Sequence, residues 1–435
     1  MTLWQPREAQ MVSDEWSDKL RSSCSLKQRD SSHLPEVLDM IIRIFARRVA
    51  VAASIATFCV PSVADAQTVP VRTLARPDVE LSESFTVISS IRELSDGRVI
   101  VADNREKQLH LADLKRQQVS PIGREGGGPA EFGSIGRLYA LGGDVTLLYD
   151  FVNNRFLVIG PDGKPTGTRP IDYGPYSENE GLLAFDAAGR IFLSVRPKGS
   201  REEGGVQAIV RYDPQRKKAD TITSVTLPTG IRTGASDIGN GLLKMFTNMP
   251  FAAQDVVAVG LDGSVGVVRA SDYHVEWFGA NNRKVAGSAT PFEAVRITAA
   301  EKRAFLEQQI RPGAINVRAQ PGAKAAPIAR GSGAVPGSAM TPEALDDRGM
   351  EWPARKPPFL AGAARIDRTG RLWVQRTSTH DDKQVRFDVF DANGKLTMKV
   401  VLPPKTALAG FGNGTVYLSR ADDDELRYLQ RYTLP

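Results

Sequence analysis

From residue 78 onward the chain alternates. Apolar and polar residues trade places over short runs, halt at a polar turn that carries glycine, and begin again. Alternation with period two marks strands that bury one face. The unit reads IRELSDGRVIVAD ending at Asp103, LYALGGDVTLLYD ending at Asp150 and LAFDAAGRIFLSVR ending at Arg196. It returns as VAVGLDGSVGVVR, ARIDRTGRLWVQR and LAGFGNGTVYLSR, ending at Arg269, Arg376 and Arg420. Each copy places a glycine in its turn, from Gly97 to Gly414, where a two-residue hairpin needs positive φ.

Further alternating runs follow these pairs: RFLVIGPDGKP after the second copy, AIVRYDPQRKK after the third and VRFDVFDANGKL after the fifth. Each unit therefore holds about four antiparallel strands. Gly97, Gly143 and Gly189 are 46 residues apart, and Gly370 and Gly414 are 44 apart. Four-stranded units at that period are the pattern of propeller blades. Six copies predict an all-β fold, a six-bladed β-propeller of four-stranded antiparallel blades spanning residues 67–435. The last copy reaches Pro435 with only three strands. Residues 68–81, TVPVRTLARPDVEL, are expected to supply the fourth and close the ring, removing an open sheet edge.

One stretch carries a family resemblance. Ile122 to Lys164, IGREGGGPAEFGSIGRLYALGGDVTLLYDFVNNRFLVIGPDGK, resembles an NHL repeat in its Gly-rich lead, Gly128 to Phe132, its strand-end Asp150, its pair Asn154-Arg155 and its turn Asp162-Gly163. The first copy keeps Asp103-Asn104, and the last four put arginine at the strand end. The resemblance implies an exported bacterial six-bladed propeller with NHL-like blades. It implies a fold and leaves function to the site. Within it, GREGGGP reads as the connector between two blades, with Phe132 packed between them. No Gly-Lys-Ser/Thr follows, as a P-loop requires. The chain also enters a strand there, not the helix that a dinucleotide site requires. A backbone anion site built from the loop's N–H groups is the functional alternative.

The spacing stretches to 74 residues between Gly189 and Gly263 and to 107 between Gly263 and Gly370. The excess falls in residues 196–205, 228–250 and 286–360. The last holds a predicted helix, TAAEKRAFLEQQIR, with a capping box of Thr298 and Glu301. A Pro/Gly/Ala-rich linker follows over 311–340, then a short helix begun by Thr341 and Pro342. Loops between second and third strands leave a blade on the same rim as the connections between blades. All the insertions are therefore expected on one face, and long loops in a compact domain mark a working surface.

The residues ending the second strands, Asp103, Asp150, Arg196, Arg269, Arg376 and Arg420, occupy equivalent positions and should form a circle on that face. Arginine's planar fork suits carboxylates and phosphates. At least two of the four arginines are expected at the channel mouth without a close carboxylate. With Arg124 of the GREGGGP loop, they would take a small anionic ligand. Trp352 and Phe359 would supply an apolar lid. The alternative within this ring is a set of structural clasps. Histidines 110, 274 and 380 do not converge in the predicted fold, so no metal site and no cofactor is expected. ADDDEL near the C-terminus lacks the ligand spacing of a calcium loop. Asp103, Asn104, Asp150 and Asn153 are the one carboxylate–amide cluster to inspect. The expected function is a ligand-binding or protein-interaction module. The other class is a hydrolase or lyase with a carboxylate or metal site at the channel mouth.

The N-terminus changes where the protein works. Residues 1–39 are polar and read as an upstream extension. From Met40 the chain shows Arg43, Arg47 and Arg48, an apolar run from Val49 to Val60, and the cleavage motif Ala64-Asp65-Ala66. This is the anatomy of a secretory signal over residues 40–66. Cleavage would remove Cys24 and Cys59, the only cysteines, and equal numbers of basic and acidic residues, leaving the net charge at +6. A diffuse excess of that size does not mark a nucleic-acid binder. The mature product is expected to be periplasmic or secreted, monomeric and without a membrane span.

Overall fold

Each alternating run becomes a strand, and the strands gather into six sheets. The computed structural model describes residues 69–176, 181–196, 205–228, 249–310 and 350–435. The upstream extension, the signal segment, the linker over 311–340 and the helix expected at Thr341 lie outside the described residues. Blade 1 runs through Ser90–Glu93, Val99–Asp103, Gln108–Asp113 and Gln118–Pro121. Blade 2 is Leu138–Ala140, Thr146–Asp150, Arg155–Ile159 and Pro165–Pro170. Blade 3 is Gly181–Phe185, Ile191–Val195, Gly205–Asp213 and Lys218–Leu227, and blade 4 is Val256–Val259, Val265–Arg269, His274–Phe278 and Lys284–Ala286. Blade 5 comprises Ala364–Ile366, Leu372–Gln375, Arg386–Phe390 and Leu396–Val401. Blade 6 has Thr406–Gly412, Thr415–Ala421 and Arg427–Thr433. The chain is a six-bladed propeller of four-stranded antiparallel sheets.

The core follows from the alternation. Val99 and Val101 pack with Leu81, Tyr417 and Leu429 of blade 6, whereas Ile100 and Ala102 pack with Leu138, Leu148 and Leu157 of blade 2. Period two sends successive side chains to opposite sheet faces, and each face meets a different neighbour. One apolar cluster fills each of the six seams between blades. Phe132, 2% exposed, lies in the seam between blades 1 and 2. The turn glycines take the left-handed conformation, Gly97 at φ +86° and Gly370 at +83°, which other residues reach only with strain.

The closure differs in detail from the expectation for residues 68–81. Val79–Phe85 pairs antiparallel with Arg427–Thr433 and completes blade 6. Val71–Thr73 instead runs parallel to Lys399–Val401 and adds a fifth strand to blade 5. Pro77 is the physical reason for the split. It has no N–H to donate, so one strand cannot continue through it, and the chain bends between two blades.

The insertions supply one helix among the described residues, α1 (Ala299–Ile310). Three of their pieces meet. Phe251, Phe305 of α1 and Trp352 form a triad with ring centres 5.1, 5.6 and 6.0 Å apart. The connection from blade 3 to blade 4 is thereby joined to the connection from blade 4 to blade 5.

Candidate functional site

The circle of strand-end residues forms as a set of clasps. The Asp103 carboxylate accepts N–H groups from Val87, Arg105 and Glu106 at 3.0–3.1 Å. Asp150 accepts from the Gly133 and Ser134 N–H groups, the Ser134 hydroxyl and Asn153 Nδ2 at 2.7–3.1 Å. Both carboxylates are buried. Val87 and Gly133-Ser134 lie just ahead of the inner strands of blades 1 and 2. Each aspartate thus ties the end of a second strand to the chain entering the same blade.

Arg269 and Arg376 perform the same tie with arginine's chemistry, donating where aspartate accepts, and Arg420 clasps the outer strand of its blade instead. Arg269 donates to Asp255 Oδ2 at 2.9 Å, just ahead of the inner strand of blade 4, and to Glu276 and the Ser224 carbonyl. Arg376 donates to the Pro358 carbonyl at 3.1 Å and to Asp388 at 2.7 Å, beneath the rings of Tyr273 and Phe292. Arg420 makes two 2.8 Å bonds to the two oxygens of Glu80 and stacks on Tyr428. Arg196 follows the strand Ile191–Val195 and is half-buried. Three of the four arginines therefore hold a carboxylate, which overturns the expectation that at least two would have none. The physical reason is desolvation: a guanidinium this enclosed needs a counter-charge. The acids that provide it lie on neighbouring strands or, for Glu80, at the far end of the chain.

The pKa shifts agree. Hydrogen bonds from Arg420 hold Glu80 below its ordinary value, and Glu80 lifts Arg420 in return. Burial pushes Glu276 up, but bonds from Lys284 and Arg269 outweigh it and leave the carboxyl lowered. Arg124 is exposed and bonds Glu131 at 2.7 Å, while the other Glu131 oxygen accepts the Gly128 N–H at 2.8 Å. The GREGGGP loop thus folds around the Glu131 carboxylate, which leaves no room for a Cβ on Gly126. The donors expected for a ligand anion are engaged by Glu131.

A concavity on the inserted face reaches one of these clasps, the pair Arg376–Asp388, and none of the others. A cleft of about 870 Å³ opens between residues 291–301 and blade 5. Its walls come from the third and outer strands of that blade, the loop after Arg376, and Val71 of the N-terminal strap, so it stands outside the channel mouth. Arg296 and Lys399 line it, are exposed, and make no side-chain bond to the protein among the described residues. Arg386 lines it too, tied to Asp382 at 2.5 Å, and Glu293 and Asp381 add negative charge. Phe292 and Val401 give an apolar side.

A buried ion pair supports the cleft wall. Glu301, 3% exposed, meets Lys356, 7% exposed, at 2.5 Å. It also accepts the His380 N–H at 2.7 Å and faces that imidazole at 3.3 Å. Burial raises the Glu301 carboxyl, and the Lys356 and His380 bonds bring it below its ordinary value. The Thr298 hydroxyl does cap the Glu301 N–H, at 3.3 Å, as the capping box requires. The returning carboxylate turns to Lys356 and His380 instead. Sequence reasoning therefore found Glu301 as a cap and missed it as an anchor. It missed Lys356, Arg296 and Lys399 altogether, because no local pattern marks them. His110 and His274 stand on blades 1 and 4, away from His380, and no three His, Cys, Asp or Glu side chains among the described residues are grouped to hold a metal.

No family model matches the chain, and no curated protein sequence does either. Solved structures align with it at low identity. A candidate exported protein of Bacteroides fragilis is 12% identical, with 84% of this chain and 98% of that one covered and a TM-score of 0.41. A luciferin-regenerating enzyme is 13% identical over 82% and 95% of the two chains, with a TM-score of 0.37. Regucalcin of Agrobacterium tumefaciens, a calcium-binding protein, is 11% identical over 83% and 95%, with a TM-score of 0.35. The six-bladed assignment rests on the sheets of this chain itself. No helix among the described residues is long and apolar enough to cross a membrane.

Proposed function

We propose that this chain is an exported propeller, of the NHL-like kind, that works as a binding module for a small anionic ligand, and that the cleft beside blade 5 is its seat. The observation that carries this reading is the cleft itself: about 870 Å³, walled by an insertion and holding two cations, Arg296 and Lys399, that no acid among the described residues engages. Its volume falls within the range of small-molecule sites, and its mix of an apolar wall with a few polar groups is what such sites use to orient a ligand. The acids Glu293 and Asp381 nearby favour a ligand that carries a donor, such as a hydroxyl, as well as its negative group. A sugar acid, a phosphate ester or the terminus of an acidic peptide meets that description.

One observation favours the enzyme reading: the His380 imidazole and the Glu301 carboxylate, 3.3 Å apart, open on the same cleft. A histidine oriented by a carboxylate is the arrangement of a general acid–base. A single series of proteins separates the two readings. Substituting R296Q and K399Q together should weaken retention of anionic ligands at least tenfold in a panel of sugar acids, phosphate esters and acidic peptides, with the melting temperature unchanged. Undiminished retention would remove the cleft as the seat. Turnover of esters or lactones by the native protein, lost in H380N, would establish the enzyme instead.

A further inference from the structure

The inner strands of the six blades surround the propeller axis, so a side chain there that is open to water is open to the channel. Two arginines meet that condition. Arg365 is central in the inner strand of blade 5, Ala364–Ile366, and Arg137 directly precedes the inner strand of blade 2. Both are exposed. Blades 2 and 5 are third neighbours in a ring of six, and their inner strands face each other across the axis.

Neither arginine has a carboxylate partner among the described residues. One terminal nitrogen of Arg365 donates to the Gly362 and Ala364 carbonyls, at 2.6 and 2.8 Å, which orients the guanidinium and leaves its other nitrogens without an acceptor among the described residues. Arg137 lies over the Tyr139 ring at 5.6 Å and makes no side-chain hydrogen bond or ion pair among the described residues. The charged residues of the other inner strands are engaged elsewhere. Glu93 takes the Asn413 N–H and the hydroxyls of Thr415 and Tyr417, and Arg92 bonds the Glu93 carbonyl and Asp144. The strands Gly181–Phe185, Val256–Val259 and Thr406–Gly412 carry no charge. Near one end of the channel Arg368 reaches from blade 5 to the Glu93 carbonyl of blade 1, adding a third positive group.

We infer that Arg137 and Arg365 form a second, independent site inside the channel, which binds the oxyanion end, carboxylate or phosphate, of a small ligand. Enclosure first, and the charge of Arg137 second, push the Arg365 guanidinium below its ordinary value, as an uncompensated cation facing another should show. Two like charges that face each other across the channel repel unless an anion comes between them. The fork of each guanidinium can offer an oxyanion two parallel bonds. This site does not rest on the cleft and goes beyond it.

The test uses the full mature chain already carrying R296Q and K399Q, so that the cleft is disabled, titrated calorimetrically at low salt with inorganic phosphate and with citrate. We expect saturable binding of one anion per chain for at least one probe, and the probe that binds distinguishes phosphate from carboxylate ligands. R137Q and R365Q should each weaken it at least tenfold, and R365Q should leave the melting temperature unchanged or raise it by relieving the repulsion. Three results would each overturn the inference: no saturable binding of either probe, binding indifferent to both substitutions, or a lowered melting temperature in R365Q that marks the residue as structural.

Discussion

At the residue scale the same backbone position is served by opposite charges. Asp103 and Asp150 hold the incoming chain by accepting N–H groups; Arg269 and Arg376 hold it by donating to a carboxylate or a carbonyl. The sequence shows that aspartate and arginine exchange at one position of a repeat. It does not show that both make the same tie. The distinction has a measurable consequence. Arg269 sits between Asp255 and Glu276, all three largely buried. R269Q should leave the buried Asp255 without a counter-charge and Glu276 with Lys284 alone, and cost about 3–5 kcal/mol, the scale of a broken buried pair. A melting temperature lowered by several degrees checks this, and an unchanged one would make Arg269 dispensable to the fold. The Glu276 carboxyl is lowered in the folded state, so its contribution is complete above its ordinary value of 4.5 and is lost as pH falls below it. The stability of E276Q should accordingly fall less steeply with acidification than that of the native protein.

At the scale of elements, the N-terminal strap performs two separate tasks. Val79–Phe85 completes blade 6 and brings Glu80 to Arg420; Val71–Thr73 adds an outer strand to blade 5 and gives Val71 to the cleft wall. Leu81 and Phe85 are buried in the seam with blade 1, whereas Val71–Thr73 is exposed throughout. Truncation before residue 78 also removes Leu74, which is buried in the seam between blades 5 and 6, and should give a soluble protein whose melting temperature is lowered by several degrees. Truncation before residue 87 should expose the edge at Arg427–Thr433, uncover that seam and cause aggregation. Size-exclusion chromatography of the two products decides the matter, and equal solubility would show that the ring closes without the strap. The helix α1 belongs to this scale too. Its Phe305 and Glu301 reach pieces of chain that are remote in sequence, Phe251, Trp352 and Lys356.

At the scale of the whole molecule, the ring and the N-terminal segment pose one question, where the working protein begins. Mass spectrometry of secreted protein is expected to find the mature N-terminus at or near Gln67, just ahead of the strap. Residues 1–39 in the mature product would contradict the export reading. The sequence by itself determined the six units, the four strands in each, the turn glycines and the placing of insertions after particular strands. All of these are local: they depend on period two, on turn conformation and on spacing, which neighbouring residues encode. The tertiary structure alone decided which charges meet. Glu80 and Arg420 are 340 residues apart, and Glu301 and His380 are 79 apart. An alternating strand does not say which side chain its neighbouring blade will offer. The cleft and the facing arginines of the channel were illegible for the same reason. A concavity, and the absence of a counter-charge, are properties of what surrounds a residue in space, and the order of residues along the chain does not carry them.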